Sequence, residues 1–166
     1  MYHAIIRRRV ESLFRRANSG DWEAIVDSLA PSFSYRFIGE TPLGGTRTTH
    51  AAMRLWWQRL YRLFPGAVFE PETIVAQGPP WRTTVMTHVR IRGTVPTHIP
   101  PGGTAGTRPY ENEFMQCMSI RWGKVTSVTT LEDTQRFVGI LPVLVASGIT
   151  DAAAAPIVDD LAIAGR

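Results

Sequence analysis

From Tyr110 to Ile120, every second residue reads Tyr110, Asn112, Phe114, Gln116, Met118, Ile120. That spacing places all six on one face of a strand. Two amides thus interrupt an apolar face, and buried amides require partners. Either neighbouring elements satisfy Asn112 and Gln116, or the two line a cavity and offer N–H donors to a ligand carbonyl. With Tyr35, from a strand that alternates Phe33, Tyr35 and Phe37, they form a donor set able to hold an enolate-like oxygen. Glu40, Glu132 and Asp133 supply carboxylates. In a dry pocket a carboxyl pKa rises, which makes a base suited to removing a proton beside a carbonyl near neutral pH. Glu40 is the first candidate for that base, although its Gly- and Pro-rich turn also suits a solvent-facing Glu. Glu132 alternates with Thr130 and Val128 and is expected at a pocket mouth; Asp133 fits a cap on the chain leaving the last strand.

The same faces carry Phe37, Trp56, Trp57, Val89, Phe114, Met118 and Thr130, which either contact a bulky apolar ligand or form a core. Trp56 and Trp57 diverge by about 100° on a helix, so one is expected to pack on the sheet and the other to meet the pocket or a partner subunit. Other chemistries find little support. There is no His-Glu-x-x-His motif, and His3, His50, His88 and His98 share no metal-ligand spacing, so neither metal nor other cofactor is expected. The glycine run 102–106 lacks a following Lys-Ser/Thr and reads as a loop. Cys117, the single cysteine, reads as a small buried hydrophobe. His88, Arg90 and Arg92 fall opposite Val85, Thr87, Val89 and Ile91, on an outer polar face or dimer contact.

The elements that position these groups follow from periodicity. Ile6, Val10, Leu13, Phe14 and Ala17 recur at helical spacing, as do Trp22, Ile25, Val26 and Leu29. Between them Gly20 ends one helix and Asp21 is expected to cap the next. A half-buried strand spans Ser32 to Ile38, and Gly39 to Gly45 is turn-rich. Thr48 or Thr49 then caps a long helix carrying Met53, Trp56, Trp57, Leu60, Leu63 and Phe64, which Pro65-Gly66 ends. Residues 68–77, 82–94, 110–122 and 124–132 read as successive antiparallel strands, with a tight hairpin at Trp122-Gly123-Lys124. Residues 96–109 are long enough to overhang one end of the sheet. Gln135 to Ala146, with Pro142 inside, is expected as a short interrupted helix or coil, and the Ala-rich tail from Thr150 as loosely ordered.

One domain, residues 1–149, with a tail at 150–166, accounts for a chain of 166 residues, long enough to bury roughly 70% of its unfolded surface. The net charge of +4 is spread along the chain instead of concentrated on one face, which argues against nucleic-acid binding; Arg7, Arg8, Arg9, Arg15 and Arg16 form the solvated side of a helix. The longest apolar run is too short to span a bilayer, and no signal-type segment follows the N-terminal arginines. A cytoplasmic protein without a membrane partner is expected.

The Asn18-Ser19-Gly20-Asp21-Trp22 hairpin, the Phe37-x-Gly39-x-x-Pro42-x-Gly44-Gly45 connection, Tyr110-x-Asn112, and Gly123-Lys124-Val125 leading to Leu131-Glu132-Asp133-Thr134 together resemble the nuclear-transport-factor-like superfamily. Within it they resemble the SnoaL-like group of polyketide cyclases and relatives of ketosteroid isomerase, over roughly residues 4 to 137. The resemblance implies an α+β, cystatin-like cone: a curved, mostly antiparallel sheet wrapped around about three helices, here with a C-terminal apolar extension, enclosing a deep apolar pocket. Many such proteins pair through the outer sheet face, so a homodimer is expected.

Family mechanisms do not transfer residue by residue. Where ketosteroid isomerase-like enzymes place a Tyr, a base and a late-strand acid, this chain has Leu13, Thr41 and the segment Gln116 to Met118. Where epoxide hydrolase-like members place Arg, Asp and a second Asp, it has Val89, Ile91 and Thr130. The expected function is binding of a small, largely apolar molecule, of polyketide, steroid or terpene type. The expected activity is a cofactor-independent isomerase, cyclase or hydrolase using acid–base chemistry. The alternatives are a non-catalytic carrier of such a ligand and an accessory subunit that binds protein through the outer sheet face.

Overall fold

Helix α1 (Tyr2–Asn18) ends where Gly20 takes φ +81°. The Gly20 amide donates to the Ala17 carbonyl at 2.8 Å and that of Asp21 to Arg16 at 2.9 Å, which satisfies two of the last carbonyls of the helix. In this computed structural model, which describes residues 1–96 and 106–159, Asp21 is therefore still finishing α1 and does not cap α2 (Glu23–Ser28). Trp22 is the N-cap residue without a side-chain bond, and Asp21 instead pairs with Arg16 at 3.3 Å.

Strand β1 (Leu29–Phe37) starts earlier than the alternation suggested and runs through Pro31. Its pairing slips between Leu29 and Ser34, which leaves room for a residue with no N–H. The three-residue β2 (Gly45–Arg47) pairs antiparallel with β1 and is too short to give a period-2 signal in sequence. The Thr49 hydroxyl accepts the Ala52 amide at 3.2 Å and so caps α3 (His50–Leu63). Strands β3 (Val68–Gln77), β4 (Thr83–Pro96), β5 (Thr107–Arg121) and β6 (Lys124–Glu132) are antiparallel neighbours, and β1 joins β6 in parallel. The result is a curved, mixed, open sheet in the order β2-β1-β6-β5-β4-β3. The α+β cone expected from the sequence is observed.

Alternation along β4 buries Val85, Thr87, Val89 and Ile91 and turns His88, Arg90 and Arg92 outward. There they meet acids on both neighbouring strands: His88 pairs with Glu72 and Glu113, Arg90 with Glu72, and Arg92 with Glu70 and Glu111. Cys117 also faces outward and is exposed, not the buried hydrophobe expected, because its neighbour Gln116 takes the inward position. Helix α4 (Thr134–Ala146) is continuous through Pro142, not interrupted. The missing N–H deprives only the carbonyl of Val138, on a residue that faces solvent, and Asp133 caps the start of the helix through the amides of Gln135 and Arg136.

Both sheet margins carry added contacts. On the β3 side, Asn18 Nδ2 donates to the Phe69 carbonyl at 2.9 Å while its Oδ1 accepts the Phe69 amide at 2.7 Å. On the β2 side, a 3-10 turn (Thr150–Ala153) buries Ala152, and the chain after it lies along Gly45 and Arg47, burying Ile157. Asp151 pairs with Arg59 and Arg62 at 3.3 and 2.6 Å, and the Asp159 carboxylate accepts hydrogen bonds from the amides and hydroxyls of Thr48 and Thr49. Residues 160–166 lie outside the described residues. So do residues 97–105, which contain most of the connection expected to overhang the sheet, His98 and most of the glycine run.

Candidate functional site

The concave sheet face and helices α1 to α3 enclose a cavity of about 90 Å³. Its wall is almost wholly apolar. Val10, Leu13 and Phe14 come from α1, Trp56, Trp57 and Leu60 from α3, and Phe114 and Met118 from β5. Trp56 and Trp57 both line the cavity, their rings edge to face at 5.3 Å, and each also packs on the sheet, so the expected division of one on the sheet and one at the pocket or a partner subunit does not separate them. The sheet wraps around α3, so directions 100° apart meet two walls of one space. Trp56 lies against Tyr35 and Phe37 of β1, and Trp57 against Phe69 of β3.

Few polar groups enter this space. Gln116 Nε2 donates to Thr130 Oγ1 at 3.0 Å, and the Thr130 hydroxyl donates to the Tyr35 oxygen at 3.4 Å. The two contacts form a chain pointing at Tyr35, and its own O–H proton has no acceptor among the described residues. Burial pushes the Tyr35 phenol above its ordinary range. Two residues beyond Thr130, on the same face of β6, lies Glu132, roughly 7 Å further along the strand. Its Oε1 is shielded from solvent and has no hydrogen-bond partner among the described residues. Burial, reinforced by the neighbouring charge of Asp133, pushes its carboxyl up to about 8. Trp57 Nε1 is likewise shielded and, among the described residues, without a partner. One unsatisfied acceptor and one unsatisfied donor thus line the same apolar cavity, a costly arrangement unless a ligand completes it.

Tyr35, Gln116, Glu132, Phe37, Trp56, Trp57, Phe114, Met118 and Thr130 all line this cavity. The remaining expected residues do not. Glu40 is exposed in its turn, Val89 is fully buried behind the wall, and Asn112 is spent on structure. Asn112 Nδ2 donates to the Tyr110 hydroxyl and the Asp133 carbonyl, both at 3.1 Å, and its Oδ1 accepts the Glu113 amide at 2.9 Å. Tyr110, which shares the alternating face, does reach the cavity and stacks on Phe64 with centroids 4.9 Å apart.

Arg47 was not legible as part of this site. It is fully buried behind Tyr35 and Trp56, and donates to the carbonyls of Leu43, Gly44, Gly45 and Ile157. Among the described residues no carboxylate bonds it. Burial pulls its guanidinium down to about 10, so it stays charged at neutral pH.

Residues 10–128 match the SnoaL-like domain family, and the chain belongs to that family. Solved structures of the same fold include a protein of Jannaschia sp. CCS1 assigned as a SnoaL-like polyketide cyclase, 15% identical with a TM-score of 0.62, covering 93% of this chain and 95% of that one. Similar too is IdmH of Streptomyces antibioticus, assigned as a polyketide cyclase, at 24% identity and TM-score 0.59 over 80% of this chain and 95% of that one. A third is the epoxide hydrolase/cyclase-like enzyme SalBIII of pyran ring formation in salinomycin, at 19% identity and TM-score 0.60 over 82% and 97%. At these identities the likeness concerns the fold. No curated protein sequence matches the chain.

Proposed function

We propose that the protein binds a small, largely apolar molecule carrying a carbonyl in the interior cavity and rearranges it without a cofactor, as an isomerase, cyclase or hydrolase. The observation that carries this reading is Glu132 Oε1, a carboxyl oxygen on an apolar cavity with no hydrogen-bond partner among the described residues. In its ionised form Glu132 accepts a proton from the carbon beside the carbonyl. The oxygen that gains charge takes hydrogen bonds from the Tyr35 O–H and the Gln116 amide. In an isomerisation or cyclisation, protonated Glu132 then returns the proton to another atom of the same molecule and no co-reactant is consumed; in a hydrolysis the ionised Glu132 instead takes a proton from the attacking water, which is consumed. A carboxyl titrating near 8 exchanges protons readily at neutral pH.

The cavity also limits the ligand. At about 90 Å³ it is smaller than the ~150 Å³ engineered cavity that holds benzene in another protein. A ligand of more than one ring outgrows this space, so its binding calls for movement of the wall or for part of the ligand to extend through the open side.

The test uses 2-naphthol, an apolar fluorescent probe with one acidic hydroxyl. Wild-type protein should bind it with an affinity that changes as pH crosses about 8, and Glu132→Gln should remove that pH dependence while the fold persists. Binding unaffected by Glu132→Gln would defeat the reading. Turnover of a panel of polyketide-like ketones and epoxides then separates an enzyme from a carrier: an enzyme loses rate in Glu132→Gln and Tyr35→Phe, whereas a carrier loses only affinity.

Pairing of two copies is supported by the outer sheet face, where Val75, Met86, Met115 and Leu131 are about half exposed on neighbouring strands. Sedimentation of wild type against Met115→Arg tests it, with a monomeric wild type the contrary result.

A further inference from the structure

At one end of the sheet the β3–β4 and β5–β6 turns lie side by side, because Thr83 pairs with Ile120 and Arg121 with Lys124. Each turn presents a tryptophan to solvent. Trp81 is 57% exposed and Trp122 74% exposed, their ring centroids 6.0 Å apart. Neither contributes to the core, and Trp122 holds φ +50° in its turn, a left-handed conformation costly for a bulky side chain and ordinarily given to Asn or Gly. A residue that gains nothing by burial and occupies an unfavoured backbone position points to a use outside the fold.

Cations surround the pair. Arg82, Arg121 and Lys124 are exposed beside it, and the exposed Arg9 of α1 lies against Gly123, so closely that a Cβ there would come within 2.9 Å of its Nη1. Among the described residues none of these four enters an ion pair; Lys124 donates only to the Asp27 carbonyl. Two exposed indoles within an uncompensated cationic cluster match the chemistry of an anionic lipid surface. Indole rings settle at headgroup depth, and Arg and Lys meet the phosphates. A second copy of the chain would bring the same four positive charges against these. A nucleic acid strand would want a groove to track, whereas both turns are convex tips.

We propose that this end of the molecule docks peripherally on an anionic membrane, with Trp81 and Trp122 in the headgroup layer and Arg9, Arg82, Arg121 and Lys124 against lipid phosphates. No helix among the described residues is long and apolar enough to cross a membrane, and this contact requires none. The inference stands apart from the cavity and its chemistry.

Co-sedimentation of the full chain with phosphatidylcholine vesicles, with and without phosphatidylglycerol, tests it. Binding should require phosphatidylglycerol, weaken in high salt, and shift tryptophan emission to the blue. The double variant Trp81→Ser/Trp122→Asn should reduce partitioning by ~10-fold or more, Asn being chosen because it accepts the left-handed backbone. Unchanged thermal unfolding will show that this variant is folded, and the triple variant Arg82→Gln/Arg121→Gln/Lys124→Gln provides an independent loss. Absence of binding to phosphatidylglycerol vesicles overturns the proposal. So does binding that neither variant weakens, tighter binding to a single-stranded oligonucleotide, or self-association that the tryptophan variant abolishes.

Discussion

The guanidinium carbon of Arg47 lies 5.4 Å from the centre of the Tyr35 ring, and 5.5 Å from that of Trp56. A buried cation thus backs two aromatic walls of the cavity, and four backbone carbonyls hold it in place. Arg47→Met leaves those carbonyls without a donor and is expected to destabilise the fold by about 3 kcal/mol or more. Arg47→Lys should recover only part of this, since an ammonium cannot span the same fork. Urea unfolding of the three proteins provides the comparison.

The Glu132 carboxyl titrates near 8 in the fold against 4.5 in an unfolded chain. Between those values the native state holds a proton that the unfolded state has released, so stability falls as pH rises through the window and levels off above it. Glu132→Gln has no such loss. Its melting temperature should match wild type below the window and exceed it increasingly towards pH 8, and a constant difference across the range would contradict the assignment.

Asn18 replaces a missing strand neighbour at Phe69, bonding both its amide and its carbonyl. Asn18→Ala strips both bonds from a part-buried backbone and is expected to cost about 2 kcal/mol. Faster hydrogen exchange of the Phe69 amide would locate the loss.

Asp159 accepts from both threonines that open α3. Burial alone would raise its carboxyl pKa, but these bonds outweigh that and hold it below the usual 3.8. Asp159→Ala should cost about 1 kcal/mol near neutral pH. The difference from wild type should shrink as acid protonates the carboxylate, because a depressed pKa contributes stability only above its range.

The fold was largely readable because its signals are long. Strands of nine to fifteen residues in β3 to β6 carry clear alternation, and α3 carries a full apolar stripe. Tyr35, Gln116, Thr130 and Glu132 were readable as a group for the same reason, since alternation states which face a residue takes. Alternation does not state whether an inward amide is already spoken for, which separates Asn112 from Gln116. Glu40 and Arg47 sit in or beside the same turn-rich connection, where no period applies, and there the acid faces solvent while the cation is enclosed. That reversal depends on carbonyls from Leu43 to Gly45 and from Ile157, a partner 110 positions away.

An open sheet invites lateral growth at its two outermost strands, and here the chain obstructs part of each. On one flank Asn18 occupies the backbone at Phe69, and Pro71 with its adjacent bulge spoils the rest as a template. On the other, the stretch from Ala155 to Asp159 lies along β2. Among the described residues, both outer strands are thus obstructed along part of their length, and removing the stretch from Ala155 would uncover β2.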